Sequence, residues 1–236
     1  MLSRHETVRT IVFKELLLLH AVIFILLPVS ASASDSAYIS HSHLRGSIGI
    51  TSWKSLRDSG VVKQDLDASC GAASVATILN EHYGQSITEK EVLDAMGVLD
   101  EENEDGMASF DDLANALTEF GFRGVGYAAS FNQLTQLKIP TIVYTKHRKN
   151  DHFSVLRGID DDTVWLADPS LGNRTYSKYQ FLDMWETRDD SVLKGKILAI
   201  VPLIEETQSA EDFFTTHPRR QTAQAVKQQA FRAHSP

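Results

Sequence analysis

The chain has one cysteine in 236 residues, which excludes an intramolecular disulfide. It has no internal repeat and no excess of basic charge: 23 Lys and Arg stand against 31 Asp and Glu, a formal net charge of -8. That balance argues against nucleic acid or an anionic membrane as the main partner. No GxxxxGK[ST] phosphate loop is present, so no ATP chemistry is expected. The longest apolar run, "LLLLHAVIFILLPV" over 16–29, is short of the roughly 20 residues needed to cross a bilayer.

That run has a different use. Arg4, Arg9 and Lys14 precede it and "SASAS" follows, offering an A-x-A site at Ala31 to Ala33. A basic end, an apolar middle and a small-residue cleavage site make a secretory signal peptide over 1–33, with an uncleaved membrane anchor as the alternative. The expectation is a periplasmic or secreted protein. A linker over 34–52, one domain over 53–204 and a polar, mobile tail over 205–236 would follow, the tail being dispensable for the core and a candidate for partner docking.

A lone thiol in an oxidising compartment is open to oxidation, so it is either buried and inert or kept for chemistry. Cys70 lies in "QDLDASCGAASVATIL", residues 64–79. Ser69 is a helix N-cap type, and the small, amphipathic residues that follow predict a helix with Cys70 in its first turn. There the free N–H groups and the helix dipole favour an anion, and the thiolate is the nucleophilic form. The small residues at 71–74 allow close approach of neighbouring elements.

A nucleophilic thiol needs a base, and the base an orienting group. Of nine histidines, His5 and His20 lie in the signal, His41 and His43 in the polar stretch after it, and His217 and His234 in the tail. His82 is read as sitting on the exposed end of the Cys70 helix, and His147 in the polar loop "TKHRKND". His152 opens "HFSVLRGI", a strand pattern, and "TVWLADPSLG" is a second strand ending in Asp168. The "IDDD" turn between them predicts an antiparallel hairpin with His152 and Asp168 near the same end. Gln64 lies six residues before Cys70, and its side-chain N–H can converge with the Cys70 backbone N–H on an oxyanion.

In the order Gln, Cys-Gly, His-Phe, Asp-Pro, and in their spacing, the chain resembles the papain-like cysteine peptidases that remove double-glycine leader peptides from bacteriocins and related secreted peptides. The resemblance runs from about Trp53 to Pro202 and includes "VVKQ", "SCGAAS", "IPTIVYT", "HFSVLRGI" and "LADPSLGNRTYS". It implies Cys70 as nucleophile, His152 as general base and then acid, Asp168 as the group orienting His152, and Gln64 in the oxyanion hole. The best-known members are domains of ATP-driven exporters. This chain is similar to the stand-alone exported branch, some of whose members accompany secretion systems for surface fibres or functional amyloid. The partners implied are a polypeptide substrate, such as an exported fibre or leader-bearing protein, and a secretion-system component.

The layout predicts an α+β fold, with N-terminal helices packed on a mostly antiparallel sheet. "ITEKEVLDAMG" is a helix with Thr88 and Glu91 as capping box, and "SFDDLANALTEFG" another between Ser109 and Gly121. "SFNQLTQLK" and "SKYQFLDMWE" are further helices; "IPTIVYT", "HFSVLRGI", "TVWLADP" and "KILAIVPL" are strands. The acidic stretch "LDEENEDGMAS" lacks the ligand spacing of a calcium loop, so neither metal nor cofactor is expected. Two other functions stay open: a catalytically silent peptide-binding or secretion-accessory module, and a thiol acyltransferase or amidase.

Overall fold

The computed structural model describes residues 36–41, 44–49, 51–66, 68–97, 108–147 and 150–220. The signal segment, the acidic stretch at 98–107 and the last sixteen residues lie outside them. Contacts divide the chain into two units, 1–51 and 52–236. Within the first, the segment read as linker carries a hairpin of β1 (Ser36–His41) and β2 (Leu44–Gly49), paired antiparallel from Ser36↔Gly49 to His41↔Leu44.

The second unit is α+β. Its described helices are α1 (Trp53–Asp58), α2 (Cys70–Glu81), α3 (Glu89–Met96), α4 (Phe110–Glu119), α5 (Phe131–Leu134) and α6 (Lys178–Trp185). Its strands are β3 (Phe122–Ala129), β4 (Thr141–His147), β5 (Asn150–Ile159), β6 (Thr163–Asp168), β7 (Gly172–Ser177) and β8 (Gly195–Pro202). They form one sheet in the order β3-β8-β4-β5-β6-β7, antiparallel at every pairing.

Both faces of this sheet are covered, which is why its central strands read as continuous apolar runs. Ile142, Val155, Ala167 and Leu198 join a core with α2, α3 and α4. Their chain neighbours Val143, Leu156, Leu166 and Ile197 join a second core with α5 and α6. The helix starts follow local chemistry. Thr88 with Glu91, Ser109 with Asp112, Ser130 with Gln133 and Ser177 with Gln180 each close a reciprocal capping box. Strands β3 and β7 escape the sequence pattern. "FRGVGYAA" carries Gly124 because α4 lies against it: a Cβ there would stand 2.8 Å from the Ala114 Cα.

Two expectations are corrected here. His147 is the last residue of β4, opposite Asn150, rather than part of a loop. The tail read as mobile is, up to residue 220, part of the fold. Phe213 and Phe214 are 4% and 8% exposed and belong to the first and second cores respectively. Ala210 N–H donates to His82 O at 2.7 Å and its carbonyl meets His82 Nδ1 at 3.0 Å, so His82 is buried rather than exposed. The physical reason is the adjacent Phe pair, whose apolar surface outweighs the polar residues around it.

Truncation after Ile204 should therefore destabilise the domain substantially, since each buried Phe removed costs roughly 3–5 kcal/mol. A thermal melt of the truncated chain matching that of the full chain would contradict this placement.

Candidate active site

Helix α2 begins at Cys70, whose side chain is only 2% exposed. Ser69 occupies the N-cap position but makes no capping bond. Its hydroxyl instead donates to Leu66 O at 2.7 Å, closing the loop that leads into the helix. The first turn of α2 thus starts without a side-chain cap, beside the thiol. Gly71 lets the turn seat itself: a Cβ there would meet Leu113 at 3.1 Å and Phe153 at 3.2 Å. Phe153 N–H, on β5, donates to Cys70 Sγ at 3.5 Å.

The loop before the helix is tied at successive residues. Val62 N–H donates to Thr77 Oγ1 at 3.0 Å, and that hydroxyl donates to Ala73 O at 2.8 Å. Lys63 Nζ donates to Ser170 O at 2.7 Å, and Gln64 N–H donates to Pro169 O at 3.2 Å. Asp65 N–H reaches the Glu89 carboxylate at 3.0 Å. The Gln64 side chain donates through Nε2 to Leu66 O at 2.9 Å. The loop carrying Gln64 is therefore fastened to the turn that carries Asp168.

His152 and Asp168 come from the β5–β6 hairpin. Val155 pairs with Ala167, and one step further the register sets Ser154 opposite Asp168, with His152 two residues along the same face. His152 Nε2 stands 3.0 Å from Asp168 Oδ2. The same oxygen accepts from Ser154 Oγ at 3.0 Å, while Oδ1 accepts from Ser170 and Leu171 N–H, both at 2.8 Å. Ser154 is a contributor the sequence reading missed; the signal was a small polar residue set between apolar Phe153 and Val155.

The electrostatics follow from this geometry. Burial alone would lower the His152 pKa. Hydrogen bonds to Asp168 and Cys70, with the charges of both, overcome it and push the imidazole up to about 10. Burial would likewise raise the Asp168 carboxyl. The His152 hydrogen bond and charge, Leu171 N–H and the Ser154 hydroxyl hold it below its ordinary value. The structure thus brings Cys70, His152 and Asp168 together, with Gln64 on the adjoining loop. Among the described residues no cluster of His, Cys, Asp or Glu is arranged to hold a metal. Nor is any described helix long and apolar enough to cross a membrane.

Because folding favours the imidazolium, its contribution to stability is complete below the unfolded value of 6.5 and is lost as pH rises toward about 10. Urea unfolding at pH 6.5 and at pH 10 should show a larger loss of stability for wild type than for Asp168→Asn, whose amide cannot hold the imidazolium. Equal losses would remove the ion pair.

Comparison with known proteins agrees with the fold. The chain is 35% identical over 139 residues to the probable functional amyloid protease FapD of Pseudomonas aeruginosa, and 33% over 138 residues to that of Pseudomonas fluorescens. Each alignment takes in 58% of this chain, and the chain spans 61% of the length of each relative. Among solved structures, the peptidase domain of Streptococcus ComA, a bi-functional ABC transporter involved in quorum sensing, shares the fold. Its TM-score is 0.50 at 21% identity, covering 60% of this chain and 97% of that one. The Peptidase C39 family matches residues 58–188, more than half of the sequence and the span that holds Cys70, His152 and Asp168. The chain belongs to the Peptidase C39 family.

Proposed function

We propose that the chain is an exported cysteine peptidase that hydrolyses peptide bonds with Cys70, His152 and Asp168. The observation that carries this reading is the convergence on His152. Its Nε2 is engaged by Asp168 at 3.0 Å, while the Cys70 side chain interacts electrostatically with the same imidazole. Nε2 is held by the carboxylate, which leaves Nδ1 as the nitrogen for the thiol and fixes the ring's orientation.

In this mechanism the Cys70 thiolate attacks the scissile carbonyl. Its oxygen takes up the negative charge, for which the Cys70 backbone N–H and the Gln64 carboxamide are the donors. The C–N bond then breaks as His152 passes its proton to the departing amine. Water attacks the resulting thioester with His152 as base, releasing the new carboxylate and restoring the thiol. Burial of the Cys70 thiol supports a narrow cleft, suited to small residues such as a double glycine around the scissile bond.

Export rests on the basic, apolar and small-residue pattern over 1–33, and it sets the periplasm or the extracellular space as the place of action. Two similar proteins bear the name of functional amyloid protease. That supports a substrate that is itself exported, a fibre subunit or leader-bearing polypeptide, processed beside its secretion system.

The test is a comparison of exported proteins from cells carrying wild type or Cys70→Ala. Uncut species should accumulate in the variant and name the substrate; an unchanged set would favour a silent peptide-binding module. On that substrate, His152→Ala should be nearly as inactive as Cys70→Ala, and Asp168→Asn milder. Gln64→Ala should lose on the order of 10²-fold in kcat.

A further inference from the structure

Strand β5 is irregular between its two ends. Leu156 stands opposite Leu166 and Gly158 opposite Trp165, so Arg157 is an extra residue with no counterpart on β6. One consequence lies in the core. Leu156 and Ile159, three apart, both join the cluster with α5 and α6, which regular alternation cannot give. The other lies at the active site. Were the pairing of Ile159 with Val164 continued without a bulge, Asp168 would fall opposite Val155 and face away from His152. Only the bulge satisfies both the packing of Ile159 and the pairing of His152 with Asp168.

Two aromatic rings and a side-chain amide hold the Arg157 guanidinium. Its guanidinium lies 4.3 Å from the Trp165 ring and 4.6 Å from the Phe213 ring. Nη1 donates to Asn173 Oδ1 at 2.9 Å, and that oxygen also accepts from Trp165 Nε1 at 3.1 Å. Asn173 Nδ2 donates to Arg57 O at 3.0 Å and Ser59 O at 2.7 Å, joining the hub to the end of α1. Glu81 and Asp212 supply compensating charge.

The outer wall of this hub comes from 210–220, beyond the Peptidase C39 match at 188. Pairing with β4 stops at Leu156, opposite Thr141. Past that point Thr215 takes over: its N–H donates to Arg157 O at 3.0 Å, and Ile159 N–H donates to Thr215 O at 3.1 Å. Gly158 permits the approach, since a Cβ there would stand 2.9 Å from the Thr215 methyl.

We infer that Arg157, clamped by the C-terminal strap, is a positioning residue that fixes the β5 bulge and so sets His152 against Asp168. It touches no reacting atom. A strand slipped by one residue would turn its charged side chain to the opposite face, away from Trp165, Asn173 and Phe213. The inference rests on the proposed roles of His152 and Asp168, but its test does not depend on turnover.

The test is titration of the His152 imidazole by NMR in wild type, Arg157→Ala and Phe213→Leu. The charged groups facing that ring are Asp168 and Cys70. In wild type it should titrate near about 10. In Arg157→Ala it should lose the contribution of Asp168, keep its burial and titrate well below the wild-type value. Phe213→Leu keeps apolar volume but removes the ring face, so it should shift the same way by less; it decides the matter if Arg157→Ala does not fold. A wild-type titration in the folded variants would overturn the inference. A raised His152 in a wild-type protein that cuts nothing would sink the peptidase reading instead.

Discussion

A charged imidazole beside a carboxylate, both removed from most of the solvent, is the constraint on which the rest of this domain depends. Such a pair is unfavourable unless its remaining hydrogen-bonding capacity is met. Asp168 meets it with four donors: His152, Ser154 and the N–H groups of Ser170 and Leu171. The turn supplying two of them is held by Lys63 and Gln64, which also place the loop ahead of Cys70. The loop before Cys70, the strand of His152 and the turn after Asp168 therefore stabilise one another. A disturbance in any of them reaches the pair.

Much of this was legible in the sequence, for identifiable reasons. Capping boxes at Thr88 and Ser109 are local chemistry, so the helices they start were visible without any knowledge of the fold. Strands β4, β5, β6 and β8 are buried on both faces and read as apolar runs. The spacing of His152 and Asp168 around a short turn implied their approach, because a hairpin obliges it. Strand β3 was hidden by Gly124, chosen for the nearness of α4, and β7 by its polar residues. Both depend on neighbours distant in sequence.

The same holds for the strap. Phe213 and Phe214 sit among polar residues, and composition alone suggested a loose tail. The clusters they join draw on α2, β5, β6 and α6, which no local pattern reveals. The bulge at Arg157 is still less visible, since it exists only as a relation between two strands. Yet it governs whether two residues found by their spacing can meet. The family-matched segment brings Cys70, His152 and Asp168; part of what holds them in register lies beyond it.

Because Cys70 is the sole thiol of the chain, its chemistry can be followed without ambiguity of site. The rate of its alkylation by iodoacetamide across pH, in wild type and in His152→Ala, measures directly whether His152 activates it. The account predicts a reaction that persists below neutral pH in wild type and collapses there in His152→Ala. A rate that rises only near the ordinary thiol range of about 8.5, and is the same in both proteins, would contradict it.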